Sequence, residues 1–249
     1  MEALLSQSQK GFVPHRQGTD HVRGITDSYY KALSAGQQKF FLLLDTKKAF
    51  DSIDHAFVLA VMDRVGLPFW LIAAVTGLLH MVTVRPLLPG GLGGPIQIHR
   101  GVKQGCPLSP LLFVLCYDVL LTYLEAHPGH EDFAFADDLA IGVDNIPSLI
   151  PLLEEIQEFS VFSGLGLNMD KTCLLSTLPI FYPDQAILGD HGFGSIKFVA
   201  TGVYLGVLIG QDISTVDVFA AAKTKLFDRV RKYRPMLRRA TLHHRIVVW

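Results

Sequence analysis

Three aspartates give the clearest chemical signal in this sequence. Asp45 ends the apolar run FFLLLD, and Asp137 and Asp138 lie within the alternating run FAFADDLAIGV. Each run predicts a buried strand with carboxylates at its tip, where their charge is costly unless something cancels it. Hard divalent cations bound through oxygen ligands cancel such charge in proteins. Two of these cations about 4 Å apart form the clamp that serves in-line nucleotidyl transfer.

The composition predicts a packed chain with one concentrated region of positive charge. Of the 249 residues, 49% are hydrophobic and 18% are charged, which is sufficient for a core and unlike a disordered protein. The formal net charge is −1, yet residues 223–245 hold nine Lys or Arg against a single acid, Asp228. A neutral chain with gathered cations is compatible with a nucleic-acid partner.

Cysteine usage and hydropathy restrict the class of protein. The three cysteines are widely spaced and show no CxxC or Cys/His metal pattern, so we expect neither disulfides nor structural zinc. The N-terminal sequence has no secretion-signal pattern. The apolar stretches 71–84 and 111–121 are too short or too interrupted to span a bilayer. We therefore expect an intracellular protein of the cytoplasm or nucleus, not secreted and without a membrane partner.

Hydrophobic periodicity predicts long helices mixed with short strands. We expect helices over 19–35, 54–65, 69–80, 110–126, 147–163, 216–231 and 237–248. We expect strands over 39–45, 81–85, 96–100, 172–176 and 204–209, and a hairpin over 133–143. Ser109 is expected to cap the fourth helix and Pro235 to separate the last two. This mixture favours an α+β fold with helices packed on one face of a mainly antiparallel sheet.

Five ordered segments resemble the palm of a reverse transcriptase of the non-LTR retrotransposon and group II intron type. They are FLLLDTKKAFDSI at 41–53, RGVKQGCPLSPLLF at 100–113, FAFADDLAIGV at 133–143, GLGLNMDKT at 164–172 and YLGVLIG at 204–210. Upstream, GFVPHRQGTDHV resembles the fingers motif GFRPGRSTTDHI of that family. Val13 and His15 depart from the motif, whereas Arg16 keeps its place.

This resemblance implies a polymerase palm with partial fingers and the start of a thumb. Residues 1–38 would be partial fingers, residues 39–212 the palm with inserted fingers elements, and residues 213–249 a basic helical connection to a thumb. The early fingers motifs and the complete thumb of the family are not in the sequence. We therefore expect a fragment of a longer polyprotein derived from a retrotransposon.

The resemblance also implies roles for individual residues in catalysis. In the family, the first aspartates of the two acidic motifs bind two Mg²⁺ ions, for which Mn²⁺ can substitute; they correspond to Asp45 and Asp137. Asp138 is the second aspartate of its motif and supports the metal site. Lys171 corresponds to the lysine proposed to protonate the leaving pyrophosphate. Phe50 corresponds to the aromatic side chain that excludes a ribose 2′-hydroxyl.

Further positions are implied to contact substrate and nucleic acid. Gln104 and Gly105 match the loop that meets the incoming nucleotide and the template base, and Arg16 and Arg100 are expected to meet phosphates. A basic C-terminal face is expected to follow a phosphate backbone without reading sequence. Its cations are Lys223, Lys225, Arg229, Arg231, Lys232, Arg234, Arg238, Arg239 and Arg245.

The predicted activity is RNA-templated DNA synthesis from dNTPs, on an RNA template with a DNA or RNA primer. Two other functions stay open at this point. A catalytically silent, maturase-like RNA-binding remnant would use the basic face and need no carboxylates. An RNA-dependent RNA polymerase shares the palm, but Phe50 argues against it. Whether this fragment is active alone is not determined by its sequence.

Overall fold

A computed structural model describes residues 4–80, 82–180 and 182–239 of the chain. The helices are α1 Gly18–Ser34, α2 Ala49–Ser52, α3 His55–Arg64, α4 Phe69–His80, α5 Ser109–Glu125, α6 Ile146–Ser163, α7 Tyr182–Asp190 and α8 Thr215–Arg239. The strands are β1 Phe40–Leu44, β2 Thr83–Val84, β3 Leu87–Leu88, β4 Gly91–Leu92, β5 Ile96–Gln97, β6 His130–Phe135, β7 Asp138–Val143, β8 Cys173–Ser176, β9 Lys197–Val199, β10 Thr201–Tyr204 and β11 Val207–Gly210.

A five-stranded sheet with strand order β6-β7-β1-β8-β9 forms the centre of the fold. Strand β1 pairs antiparallel with both β7 and β8, β6 and β7 form a hairpin, and β9 joins β8 in parallel. All five residues of β1 are buried, as expected for an apolar strand covered on both faces. The prediction of a mainly antiparallel sheet in an α+β fold is confirmed.

Alternating side chains of β1 contribute to two cores because successive residues of a strand point to opposite faces. Phe40, Leu42 and Leu44 pack in the main core, to which helices α3, α5 and α6 contribute. Phe41 and Leu43 pack in a second core with residues of α1 and of the β10–β11 hairpin. Helices α3, α5 and α6 thus cover one face, and α1 with the hairpin covers the other.

Capping side chains determine where two of the core helices begin. Asp54 accepts a hydrogen bond from the backbone N–H of Ala56 at 2.8 Å, at the start of α3. Asn145 accepts one from the N–H of Ser148 at 2.9 Å, at the start of α6. Such caps satisfy N–H groups that lack a partner within the helix. Gly164 ends α6 in the left-handed conformation with φ of 76°.

The strand predicted over 204–209 is wrong. Leu205 and Gly206 have positive φ, 47° and 80°, and form the turn between β10 and β11. A single glycine inside an apolar run marks such a turn, but the prediction followed the apolar run and did not use Gly206 as a breaker. Between the two other predicted strands, two further short strands, β3 and β4, pair with each other.

The predicted cap of α5 and the predicted break at Pro235 are also wrong. Ser109 is the first helical residue, the N-cap is Leu108, and the Ser109 hydroxyl donates instead to the carbonyl of Lys103 at 2.7 Å. Helix α8 continues through Pro235, since a proline removes one helical hydrogen bond and often bends a helix without ending it. The helix predicted over 237–248 falls mostly at 240–249, outside the described residues.

Helix α7 and strand β9 were not predicted from the sequence. Strand β9 has only three residues and pairs along one edge, so its apolar pattern is too short to identify. In the described part of the chain, no helix combines the length and the apolar character needed to cross a membrane.

Candidate active site

Strand register brings the three predicted metal-binding aspartates to one end of the sheet. Strand β1 pairs with β7 so that Leu44 faces Leu139, and Asp45 therefore follows beside Asp138. Asp137 precedes Asp138 in the turn of the β6–β7 hairpin. Residues far apart in sequence thus lie near one another because two neighbouring antiparallel strands meet at this end.

Two of these carboxylates, those of Asp137 and Asp138, have raised pKa values. Burial raises the pKa of Asp137, and the charge of Asp45 raises it further. Burial, followed by the charges of Asp137 and Asp45, raises the pKa of Asp138 to about 6. Like charges gathered beside an apolar core are typical of functional sites that bind a cation.

Asp45 is held by the loop that also carries Lys171. The side-chain amide of Asn168 donates to Asp45 Oδ2 at 2.7 Å, and the Asn168 backbone N–H donates to the Asp45 carbonyl at 2.8 Å. Lys171 Nζ lies 3.5 Å from Asp45 Oδ1, with its side chain 68% exposed. The structure therefore brings Lys171 to Asp45 and adds Asn168. Asn168 lies in the same segment, GLGLNMDKT, but no role was predicted for it from the sequence.

The three aspartates offer the kind of ligand that a divalent cation prefers, but their side chains are not arranged around a common point. Three neighbouring carboxylates, of which those of Asp137 and Asp138 have raised pKa values, are suitable ligands for a hard cation such as Mg²⁺. Across the ranges that the structure describes, however, no three His, Cys, Asp or Glu side chains are arranged to hold a metal ion. The oxygens of Asp45 face Asn168 and Lys171, so the Lys171 ammonium supplies the neighbouring positive charge.

Phe50 lies in a stack of aromatic rings. Its ring is parallel to that of Phe113, with centroids 4.6 Å apart and an angle of 13° between planes. Phe113 is fully buried and stacks in turn on Tyr117 at 5.8 Å. Phe12 meets the ring of Phe50 edge-on at 6.1 Å. A ring fixed by packing on one side and an edge contact on another presents a rigid wall.

A cavity of about 390 Å³ adjoins this wall and includes the predicted nucleotide loop. Its lining includes Phe12, Phe50, Gln104 and Gly105. Gln104 donates from Nε2 to Asp51 Oδ1 at 3.2 Å. Gly105 has φ of 85°, a conformation that L side chains rarely adopt, so its glycine is required by the backbone. The structure thus brings three of the predicted substrate residues to one cavity.

Phe12 is a site residue that sequence analysis missed. It is 53% exposed and has φ of 55°, which is unusual for a bulky residue. Strained backbone of this kind concentrates at functional sites. The sequence signal for it was an aromatic residue inside the fingers-like motif GFVPHRQGTDHV, in which roles were predicted only for basic residues.

The two arginines predicted to meet phosphates make protein contacts. Arg16 donates to the carbonyls of Gln9 at 2.7 Å, of Leu5 at 3.4 Å and of Ser6. Arg100 is 64% exposed, with its Nε 3.8 Å from Asp54 Oδ2. Arg16 thus braces the N-terminal segment, and Arg100 lies on the surface. Phosphate contact by either residue stays a prediction.

Helix α8 carries the cations that were predicted to form a basic face. The exposed cations are Lys223, Lys225, Arg229, Arg231, Lys232 and Arg234. The helix also exposes Phe219, Leu226 and Phe227, so its surface is both basic and apolar. The side chains of Arg238 and Arg239, and all of Arg245, lie outside the described part of the chain.

Comparison with known proteins identifies the family. Residues 1–209 match the sequence model of "Reverse transcriptase (RNA-dependent DNA polymerase)". The chain belongs to the reverse transcriptase family. It is 33% identical over 207 residues to a retrovirus-related Pol polyprotein of the type-1 retrotransposable element R2 from Popillia japonica, covering 74% of this chain and 29% of that protein. It is 31% identical over 170 residues to the Pol polyprotein of element R2DM from Drosophila melanogaster, covering 66% and 16%.

Solved structures show that this reverse transcriptase domain has the predicted palm-like fold. A telomerase from Candida albicans superposes with a TM-score of 0.60 at 12% identity, over 88% of this chain and 34% of that one. A telomerase from Candida tropicalis gives 0.58 at 14% identity, over 82% and 39%. At such identities the likeness concerns fold alone. The chain spans less than a third of the length of the R2 relatives described above.

Proposed function

We propose that this domain catalyses RNA-templated DNA synthesis, transferring a nucleotidyl group from a dNTP to a primer 3′-hydroxyl. The observation that carries the proposal is the meeting of Asp45, Asp137 and Asp138 at one sheet end, with the pKa values of Asp137 and Asp138 raised. Membership of the reverse transcriptase family supports the same reaction. The R2 relatives bear the name of Pol polyproteins of retrotransposable elements, which supports origin in such a polyprotein.

In this proposal the three carboxylates hold two Mg²⁺ ions, for which Mn²⁺ substitutes. Bound there, the ions would lower the pKa of the primer hydroxyl and neutralise charge on the departing pyrophosphate. Asn168 keeps Oδ2 of Asp45 oriented through its 2.7 Å hydrogen bond. A hydrogen bond from a neighbouring group to a ligating carboxylate commonly sets both its direction and its affinity for metal.

Lys171 has two roles in this proposal. Before metal binds, its ammonium offsets the charge of Asp45 at 3.5 Å. Because the side chain is mostly exposed, leaving that contact costs little. Once displaced, the ammonium is available as a general acid that gives a proton to the leaving pyrophosphate.

The cavity between Phe50 and Gly105 is the proposed dNTP site. The stacked ring of Phe50 has little freedom to move away, because Phe113 lies against its face at 4.6 Å. A 2′-hydroxyl directed at such a ring would clash, which selects deoxynucleotides. Gln104 donates and accepts hydrogen bonds and is proposed to contact the incoming nucleotide or template base.

The basic face of α8 is proposed to bind the phosphate backbone of template and primer. Six exposed cations on one helix provide attraction that is independent of sequence. We retain the division into partial fingers at 1–38, palm at 39–212 and thumb connection at 213–249 as part of the proposal. Fingers and thumb segments from the remainder of a longer polyprotein would complete the grip on the duplex.

The test is extension of oligo(dT) on poly(rA) with dTTP and Mg²⁺ or Mn²⁺. We expect metal-dependent extension by the wild type and none by Asp137→Ala. Asp144→Ala is the matched control, because Asp144 is an exposed acid directly after the opposite end of β7. Its extension should equal that of the wild type.

Other results of this assay would point to other functions. Retained RNA binding without extension by any form would favour the catalytically silent RNA-binding alternative. Extension with UTP in preference to dTTP would favour an RNA-dependent RNA polymerase. Equal extension by wild type and Asp137→Ala would show that these carboxylates are not the catalytic centre.

A further inference from the structure

The N-terminal segment, residues 5–12, covers the outer edge of the central sheet. The backbone N–H of Lys10 donates to the carbonyl of Ala134 at 2.8 Å, and the N–H of Ala134 donates to the carbonyl of Ser8 at 3.1 Å. The segment therefore runs parallel to β6, with Gln9 opposite Ala134. This pairing places the Gln9 side chain at the end of the sheet where the aspartates lie.

The nitrogen and the oxygen of the Gln9 side-chain amide both form hydrogen bonds with the hairpin turn. Its Nε2 donates to the carbonyl of Ala136 at 3.2 Å. Its Oε1 accepts from the N–H of Ala136 at 2.8 Å and from the N–H of Gly11 at 2.8 Å. Gln9 has 0% exposure, so water does not compete for these bonds. One side chain thus satisfies both backbone polar groups of Ala136.

Ala136 is a residue that needs such support. Its φ of 56° is in the left-handed region, which is unfavourable for a residue with a Cβ. It lies beyond the last pair of the β6–β7 ladder, Phe135 with Asp138, and is 5% exposed. Without Gln9 its N–H and C=O would be buried and unpaired, which is costly. A Cβ at Gly11 would lie 2.2 Å from the Ala136 nitrogen, so the segment packs directly on the turn.

We infer that Gln9 is a positioning residue for the catalytic carboxylates. By holding both backbone groups of Ala136, it fixes the peptide that leads into Asp137 and thereby the directions in which Asp137 and Asp138 point. The effect passes through the backbone, because Gln9 itself contacts the turn and not the carboxylates. This inference rests on the proposed function, in which those carboxylates bind divalent cations.

The experiment compares Gln9→Met with Thr177→Val in the full chain. Methionine keeps the length and volume of Gln9 but forms none of its three hydrogen bonds. Thr177 is the matched control, because it too has 0% exposure and bridges backbone groups, donating to the carbonyl of Gln37 at 2.7 Å and accepting from the N–H of Lys39 at 2.8 Å. It does so at the opposite end of β1.

Two readouts are measured on each variant: amide hydrogen exchange of a peptide covering 134–139, and Mn²⁺ affinity by electron paramagnetic resonance. For Gln9→Met we expect faster exchange at the turn and Mn²⁺ affinity weakened about tenfold, as for groups that orient metal ligands. For Thr177→Val we expect both readouts at the turn to match the wild type.

Unchanged exchange at the turn in Gln9→Met would overturn the inference, as would faster exchange with unchanged Mn²⁺ affinity. Equal loss of Mn²⁺ affinity in Thr177→Val would reduce Gln9 to a general contributor to stability and would also overturn it. If the wild type binds no Mn²⁺ although slow amide exchange at 134–139 shows that its turn is formed, the proposed metal site on which the inference rests is refuted instead.

Discussion

Replacing Asp138 by asparagine should stabilise the metal-free protein while weakening its response to Mg²⁺. The carboxylate of Asp138 is ionised at neutral pH against the effects of burial and of the charges of Asp137 and Asp45. Asparagine has nearly the same shape and no charge, so Asp138→Asn relieves this repulsion. A residue kept at a cost in stability is expected where function requires it.

The magnitude follows from the pKa of Asp138, raised from the ordinary value of 3.8 to about 6. A shift of about 2 units corresponds to about 3 kcal/mol at most, since each unit is about 1.4 kcal/mol. Asp138 is exposed by more than a third, so solvent screening reduces the expected gain to about 1 kcal/mol. For a chain of this size that is about 2–4 °C in Tm.

The pH dependence of this gain has a definite sign. The folded state holds the proton of Asp138 more tightly than the unfolded state, because the folded pKa is the higher one. The contribution of Asp138 to the stability of the wild type therefore falls as pH rises from about 4 to about 6, and the cost of its charge is fully present above that range. The advantage of Asp138→Asn should be largest at pH 7–8 and should disappear near pH 4.

The assay is urea unfolding of wild type and Asp138→Asn, with EDTA and with saturating Mg²⁺. A cation bound only by the folded state adds stability, about 2.7 kcal/mol at a concentration of 100 times Kd. The wild type should gain this and Asp138→Asn much less, so the order of stabilities should reverse between EDTA and Mg²⁺. Asp144→Asn should differ from wild type by less than about 0.5 kcal/mol in both conditions.

The reasoning fails if Asp138→Asn is less stable than wild type in EDTA at pH 8. It also fails if the gain persists unchanged at pH 4, because the charge of Asp138 would then not be its cause. An equal Mg²⁺ response in both proteins would mean that Asp138 does not contribute to cation binding.

Four further measurements test the site. Asn168→Ala should raise the Mg²⁺ concentration for half-maximal primer extension about 10- to 100-fold, since Asp45 loses its orienting hydrogen bond. An unchanged Mg²⁺ requirement would contradict this. Lys171→Ala should lower that concentration, because a competing cation is removed, while the maximal rate of extension falls about a hundredfold. A raised Mg²⁺ requirement in Lys171→Ala would show that the Lys171 ammonium does not compete with the cation. Phe50→Ala should increase ribonucleotide incorporation relative to dNTP about 10- to 100-fold, and an unchanged preference would remove its selective role. Lys232→Ala should reduce the salt dependence of RNA binding by about one unit in log–log slope, whereas an unaltered slope would place that cation off the backbone.

Local sequence signals predicted the framework of the site well. The uninterrupted apolar run of β1 and the alternating run of the β6–β7 hairpin identified both acidic strand ends. This worked because a buried strand has a recognisable pattern of apolar residues over a few neighbouring positions. The helix predicted over 54–65 starts there for a similarly local reason, because the Asp54 side chain caps it. The same logic failed where a turn interrupts an apolar run, as at Leu205 and Gly206.

The parts of the site that sequence did not predict depend on distant partners. Gln9 meets Ala136 across 127 positions, and Asn168 meets Asp45 across 123. A glutamine in a polar N-terminal stretch has no local feature that distinguishes it from a solvated one. The role of Phe12 likewise depends on the unusual backbone angle that brings its ring to Phe50. Such roles follow from tertiary contacts, which periodicity does not encode.

The central position of β1 imposes an order on biosynthesis. Phe40–Leu44 are translated before their neighbours in the sheet, which are Asp138–Val143 and Cys173–Ser176. Until then five consecutive apolar residues have no native pairing partner. Nascent chains with exposed hydrophobic strands are prone to aggregate and are common clients of chaperones. Expression of this domain should therefore benefit from added chaperones, and truncation before residue 176 should yield insoluble product.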